Sequence, residues 1–173
     1  MTIKEVKQEE YNPYYSTYMN KVPKDYKLIE AYELGLTHVV AFFRGIPEDK
    51  LRYCYAEDKW SIKEVFQHII DTERVFIYRC FRISRHDTTP LAGFDQNDYI
   101  KPSRSHKKTL ELLIEEYQSV RNHSITFLKS LSDDDLKFIG NANGSPISAR
   151  AAAFSVIGHE IHHIDILKDR YLT

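Results

Sequence analysis

Apolar residues recur at helical spacing in four stretches of the chain. From Lys24, just after Pro23, the positions Leu28, Ala31, Tyr32, Leu34, Leu36, Val39, Val40 and Phe43 keep a three-and-four rhythm that stops before Gly45-Ile46-Pro47. A second stretch opens on Ser61-Ile62-Lys63-Glu64, a capping box in which the serine oxygen accepts from an orphan amide and the glutamate reaches back, and it runs to about Arg85. The third runs from about Ser105 to Leu131 through Leu110, Leu113, Ile114, Tyr117, Val120, Ile125, Phe127 and Leu128. Ser148 caps the fourth, which continues to about Tyr171. Period-two alternation is nearly absent. Helices of about 20 to 27 residues extend roughly 30 to 40 Å each, and that match in length predicts an all-α four-helix bundle.

The intervening segments are less regular. Residues 1–22 carry Tyr11, Tyr14, Tyr15 and Tyr18 around Pro13 without a clean period, which predicts an extended arm or short helix laid on the body with its tyrosines as packing. Pro47 to Lys59 reads as a short helical turn and a loop. The polar stretch His86 to Ser103, broken by Pro90, Gly93 and Pro102, reads as a loop long enough to cover a site. Asp133-Asp134-Asp135 follow Ser132 and are read as capping of a short turn rather than as a cation site. Gly140 to Pro146 has the turn chemistry of a small hairpin or loop.

Composition narrows the functional classes. A chain of 173 residues with 42% apolar positions can sustain a core as a single domain without disulfides. Two cysteines, Cys54 and Cys80, are too few for a disulfide framework and are expected reduced and buried, which favours a cytoplasmic location. With a net charge of −1 no long-range field draws in nucleic acid or an anionic membrane. No apolar run approaches the ~20 residues a bilayer demands, and the first ten residues lack the apolar segment of an export signal.

The chemistry concentrates in Gly158-His159-Glu160-Ile161-His162-His163, which contains H-E-x-x-H. At about 100° per residue, His159 and His163 differ by about 40° in azimuth and one turn in height, so both imidazoles can meet one cation. Ala149, Ala152, Val156 and Leu167 share that face, so the pair points into the bundle, where bare imidazoles need partners. His162 lies about 60° from His159 on the side away from His163, a secondary position. The third ligand of a zinc protease lies further downstream than the ten residues after His163 allow, so it is sought upstream. His68 on the second helix is the best candidate, bordering the core positions Val65, Ile69 and Phe76; His38 is a weaker one, and His86, His106 and His123 read as solvent or loop residues. Three neutral imidazoles with open positions describe a catalytic kind of site, able to acidify a bound water or thiol, and zinc, nickel, iron or manganese fits it.

The run Lys59 to Asp71 (KWSIKEVFQHIID), then Leu91 to Tyr99 (LAGFDQNDY), then Gly158 to His163 resembles the DinB/YfiT-like superfamily over nearly the whole chain. That resemblance implies an up-down-down-up four-helix bundle, often a homodimer, with a divalent metal held by one histidine of the second helix and two of the fourth. On that pattern the ligands are His68, His159 and His163. It further implies a metal-dependent hydrolase, or a thiol transferase that joins a low-molecular-weight thiol such as bacillithiol to an electrophile. Related sequences often place a glycine and a glutamine shortly after the histidine pair; here Ile164-Asp165-Ile166-Leu167 stand there.

The expectation is therefore a metal-dependent enzyme acting on a small molecule, with zinc or nickel ahead of iron or manganese. Glu160 is a candidate base if it faces the cavity; an exposed or supporting acid is the equal alternative. Glu64 and Asp71 are candidates to orient imidazole protons. Arg79, three turns beyond His68 on the same face, is a candidate for an anionic substrate group or for a salt bridge, and Trp60 is expected as a packing anchor. A protease reading of H-E-x-x-H lacks the strand edge such enzymes use. A metal-binding sensor or structural bundle is the non-catalytic alternative. Finally, Phe154, Ile157, Ile161 and Ile164 make the fourth helix apolar on its other side, to be covered by homodimerisation or by the arm.

Overall fold

Capping chemistry sets the helix ends in the computed structural model, which describes residues 1–173. The first ordered helix is short, α1 (Ser16–Met19), in the N-terminal arm. The first long helix, α2 (Leu28–Arg44), begins four residues later than the pattern suggested, because Lys27 is extended and pairs with Thr2. For α3 (Ile62–Ser84) the Ser61 box forms as expected: Glu64 Oε2 accepts from the Ser61 amide at 2.7 Å. The stretch expected as pure loop contains α4 (Asn97–Ser103), started by Asp95, whose carboxylate accepts from the Asn97 amide at 2.8 Å. The third long helix, α5 (Leu110–Leu128), starts at Thr109, whose hydroxyl accepts from the Leu112 amide at 3.1 Å; Ser105–Lys107 is only a 3-10 turn. Ser132 caps α6 (Asp133–Lys137).

Then β1 (Ile139–Ala142) pairs antiparallel with β2 (Ser145–Ser148), in the register Ile139 to Ser148 and Ala142 to Ser145. Asn143 (φ 54°) and Gly144 (φ 73°) form the two-residue turn, the left-handed pair that an Asn-Gly hairpin requires. Ser148 then caps α7 (Ala149–Arg170), accepting from the Ala151 amide at 3.0 Å.

Side-chain pairings give the helix directions. Tyr117 and Arg121 of α5 meet Glu160 and Glu73, and the α5 pairings to α3 climb together (Gln67 with Glu116, Glu73 with Arg121), so those two helices are parallel. Arg44 bonds Glu111 and Lys129 bonds Glu33, so α2 and α5 are antiparallel. Tyr171, at the end of α7, donates to the Trp60 carbonyl at the head of α3, so that pair is antiparallel too. The order is up-down-down-up. The consecutive helices α2 and α3 meet across the middle, through the stacked rings of Phe43 and Phe66, 3.7 Å apart.

The core divides in two. One apolar cluster holds Tyr32, Phe76, Phe154 and Ile157, the other Val39, Phe66, Ile69, Tyr117 and Leu167. Between them, at the level of Gly35, Thr72, Glu73, Arg121, His159 and Glu160, runs a belt of buried polar side chains. The arm packs on α7, anchored by Glu10, which is buried and accepts from Arg150 and Ser148. Gly158 permits its close approach, since a β-carbon there would overlap the Tyr18 carbonyl. Phe154 and Ile157 share their cluster with Met19 and Val22 and are buried, while Ile161 and Ile164 on the same side of α7 are half-buried.

Candidate metal centre

Two helices bring the imidazoles together. His68 sits two turns into α3, and His159 and His163 lie one turn apart near the middle of the antiparallel α7. His68 Nε2 is 2.9 Å from His159 Nε2, and one nitrogen from each of the three rings lies within 4.8 Å of the others. Ring centroids are 4.4 to 4.8 Å apart for the three pairs. His68 and His159 are buried and His163 is half-buried.

Burial decides the protonation state. It pushes His68 down to about 4 and His163 down to about 3, with His68 and His162 adding to the effect on His163. His159 is held well below its ordinary value, first by burial and then by His163. All three rings are therefore neutral at neutral pH and offer lone pairs. The sole protein partner of the cluster is the Thr72 hydroxyl, 3.4 Å from His68 Nδ1, on the side of the ring that leaves Nε2 free to face His159. Ring nitrogens with so few protein partners, on three donors of the type that binds zinc and nickel, fit a divalent cation.

A cavity of about 320 Å³ opens from the cluster. Trp60 lies against His68, centroids 4.8 Å apart, and Thr72, Phe76 and Arg79 of α3 continue the wall. The arm contributes Tyr14, Tyr15 and Tyr18; the loop before α4 contributes Phe94 and Gln96; the hairpin turn contributes Asn143. The tyrosines, expected only as packing, are thus cavity walls. Tyr18 stands edge-on to both His159 and His162, at 5.2 and 5.4 Å, and burial raises its phenol above the ordinary range. An Asn-Gly turn is readable in a sequence, but where it lands is not.

Other candidates fall elsewhere. Glu160 points away from the histidines: its carboxylate accepts from Tyr117 at 2.8 Å and from Arg121 at 2.6 Å, and it does not line the cavity. Burial raises its pKa, favouring the neutral form, against the Arg121 charge. Its contacts are with Tyr117 and Arg121 rather than with the histidines. Glu64 is taken up by the Ser61 cap, and Asp71 bonds Gln67 and Arg74, so Thr72 rather than either acid touches His68. His162 lines the cavity beside the cluster but outside it. His38, His86, His106 and His123 are exposed. Arg79 makes no salt bridge, and Trp60 lines the cavity as well as packing. Cys80 is buried but Cys54 is exposed, contrary to expectation, because it lies in the loop ahead of α3.

Fold and donor set together define a helical bundle with three histidines that could hold a metal ion, between its second and fourth long helices. The chain belongs to the DinB superfamily, whose model matches residues 31–167. It is 25% identical over 146 residues to a protein of Oceanobacillus iheyensis named "Putative metal-dependent hydrolase", a match covering 82% of this chain and 80% of that one. Its structure is similar to that of YfiT from Bacillus subtilis, with a TM-score of 0.73 at 16% identity over 85% of this chain and 89% of the other. YfiT is described as a probable metal-dependent hydrolase with an unusual four-helix bundle topology. No helix is long and apolar enough to cross a membrane.

Proposed function

We propose that this protein is a metal-dependent enzyme in which His68, His159 and His163 hold one divalent cation, zinc or nickel, in the wall of the cavity. A cation held by these residues would supply Lewis acidity and acidify a water or a low-molecular-weight thiol, the nucleophile of hydrolase or thiol transferase chemistry. The chain's own residues prepare that site. Burial keeps the imidazoles neutral, Thr72 steers the His68 ring, and Trp60 and the arm tyrosines exclude bulk water while giving a small molecule apolar walls. The observation that carries the reading is the convergence of three neutral rings, almost without protein partners, in the wall of a cavity.

That cavity also favours an enzyme over a cation that merely braces the bundle, because bracing needs no path from solvent to the donors. Metal analysis of protein purified without an affinity tag, comparing the parent with His68→Ala and His159→Ala, tests the site. The parent is expected to carry about one equivalent of metal, and each variant to lose it, with affinity down by roughly 100-fold or more as a ligand is removed. Equal metal in all three proteins would overturn the assignment.

A further inference from the structure

Three arginines of this protein are buried, and one of them is unlike the others. Arg121 is 0% exposed and bonds Glu73 and Glu160; Arg150 is 7% exposed and bonds Glu10. Arg79 is 3% exposed and has no carboxylate partner. Its one hydrogen bond goes from Nη2 to the Ala92 carbonyl at 3.2 Å, which leaves most of the five N–H donors of the guanidinium uncommitted. Ser105 Oγ is the one buried side-chain polar atom of this protein without a partner, so the free N–H groups of Arg79 still reach solvent, and the space they reach is where an anion can meet them.

That space is the cavity. Arg79 lines it, and neither Asp nor Glu occurs among the lining residues, so the guanidinium is the one fixed charge there beside neutral imidazoles. The guanidinium carbon lies over the rings of Phe76 and Phe94, 5.1 and 5.7 Å from their centroids. With one N–H bonded to the Ala92 carbonyl, the remaining donors are free for a planar oxyanion, which arginine binds as carboxylate or phosphate through two parallel bonds. Asn143 and Gln96 stand nearby in the same wall as neutral donors. Along α3, Arg79 lies on the His68 face, roughly 16 Å further on at 1.5 Å per residue, and its long side chain shortens that gap.

We propose that the cavity takes a small molecule bearing a terminal oxyanion, a carboxylate or a phosphate monoester, which Arg79 binds while the rest of the molecule extends along the aromatic wall toward the histidines. The second half of that statement rests on the metal-centre reading; the oxyanion site does not.

Calorimetric titration of the zinc-loaded protein with 4-phenylbutyrate and with its uncharged analogue 4-phenylbutanamide tests it, in the parent, Arg79→Met, Arg79→Lys and His68→Ala. Charge-assisted bonds to the anion should make the parent prefer the carboxylate by about tenfold or more. Arg79→Met should abolish the preference, Arg79→Lys should restore part of it, and His68→Ala should keep it even when metal is lost. A preference that survives Arg79→Met but disappears in His68→Ala would place the anion on the metal and overturn the proposal. Equal binding of acid and amide by the parent, or no binding of either at millimolar concentration, would overturn it as well. Inorganic phosphate that displaces the probe from the parent supports the phosphate form; an undisplaced probe with the acid preference intact supports the carboxylate form. If Arg79→Met does not fold by circular dichroism, the acid-to-amide ratio in the parent and Arg79→Lys decides.

Discussion

His159 and Glu160 are adjacent in sequence, yet they belong to opposite kinds of buried polar cluster. Glu160 joins Arg121, Glu73, Tyr117 and Ser124, and the guanidinium, both Glu73 oxygens and Glu160 Oε2 all have partners. Arg121 gives two bonds of 3.0 Å and one of 2.8 Å to Glu73, and Ser124 adds one of 2.7 Å. The rings of Tyr32 and Tyr117 lie about the guanidinium at 4.9 and 5.0 Å. The cluster draws on all four long helices, Gly35 of α2 included, where a β-carbon would overlap the guanidinium. His159 joins His68 and His163, whose nitrogens meet one another and one hydroxyl. A polar cluster closed on itself has satisfied its bonding within the chain and opposes change; one that is open, and that borders a cavity, has bonding left for something else. The two sit side by side in the belt between the apolar halves of the core, so burial alone does not tell them apart.

The closed cluster should show the larger effect on stability. Arg121→Ala strands two buried carboxylates, and loss of one partner of such a network costs about 3–5 kcal/mol. Urea unfolding is expected to show that loss with metal content per folded molecule unchanged. Replacing Arg121, Glu73 and Glu160 together by apolar residues of similar volume should recover most of it. An Arg121→Ala protein within about 1 kcal/mol of the parent would mean the network is not closed in the sense described.

Acid separates the clusters next. In chelator-treated protein, His68 and His163 titrate at about 4 and about 3 when folded, against an ordinary value near 6.5. Between those limits the unfolded chain binds more protons than the folded one, so stability rises with pH. It is complete above about 6.5 and is lost progressively as pH falls toward 4. From pH 6.5 to 5 a single such imidazole accounts for about 2 kcal/mol. His163→Gln should therefore flatten the pH dependence of the urea midpoint by about that much, in the metal-free protein. Identical slopes in parent and variant would show that the ring is not held neutral.

How much of this contrast is visible in the chain's letters depends on how local the cause is. The caps at Ser61 and Ser148 were readable because serine and glutamate act within one turn, and the start of α5 was misplaced because Thr109 rather than Ser105 does the capping. His159 and His163 share a face by helical arithmetic alone. The same arithmetic put Glu160 about 100° away and left its role open, since its partners Arg121 and Tyr117 come from another helix and nothing in the spacing announces a fully buried arginine. The arm tyrosines had no period to read. Their place at the cavity follows from Gly158, which gives its space to the Tyr18 carbonyl, a contact between residues far apart in sequence.

The smallest effect should come from the single hydroxyl that touches the open cluster. If the Thr72 oxygen accepts from His68 Nδ1–H, it selects the tautomer whose Nε2 lone pair faces His159, where the cation is proposed to sit. Thr72→Val keeps the shape of the side chain and removes the acceptor. At 3.4 Å the bond is long, so fold stability should change by less than about 1 kcal/mol. Zinc affinity, measured by competition with a chromogenic chelator, should fall by about tenfold, the low end of what a supporting hydrogen bond contributes. A loss of stability with unchanged affinity would place Thr72 with the closed cluster's kind of bonding; a loss of affinity with unchanged stability is what an open cluster, waiting on a ligand rather than holding the helices together, demands.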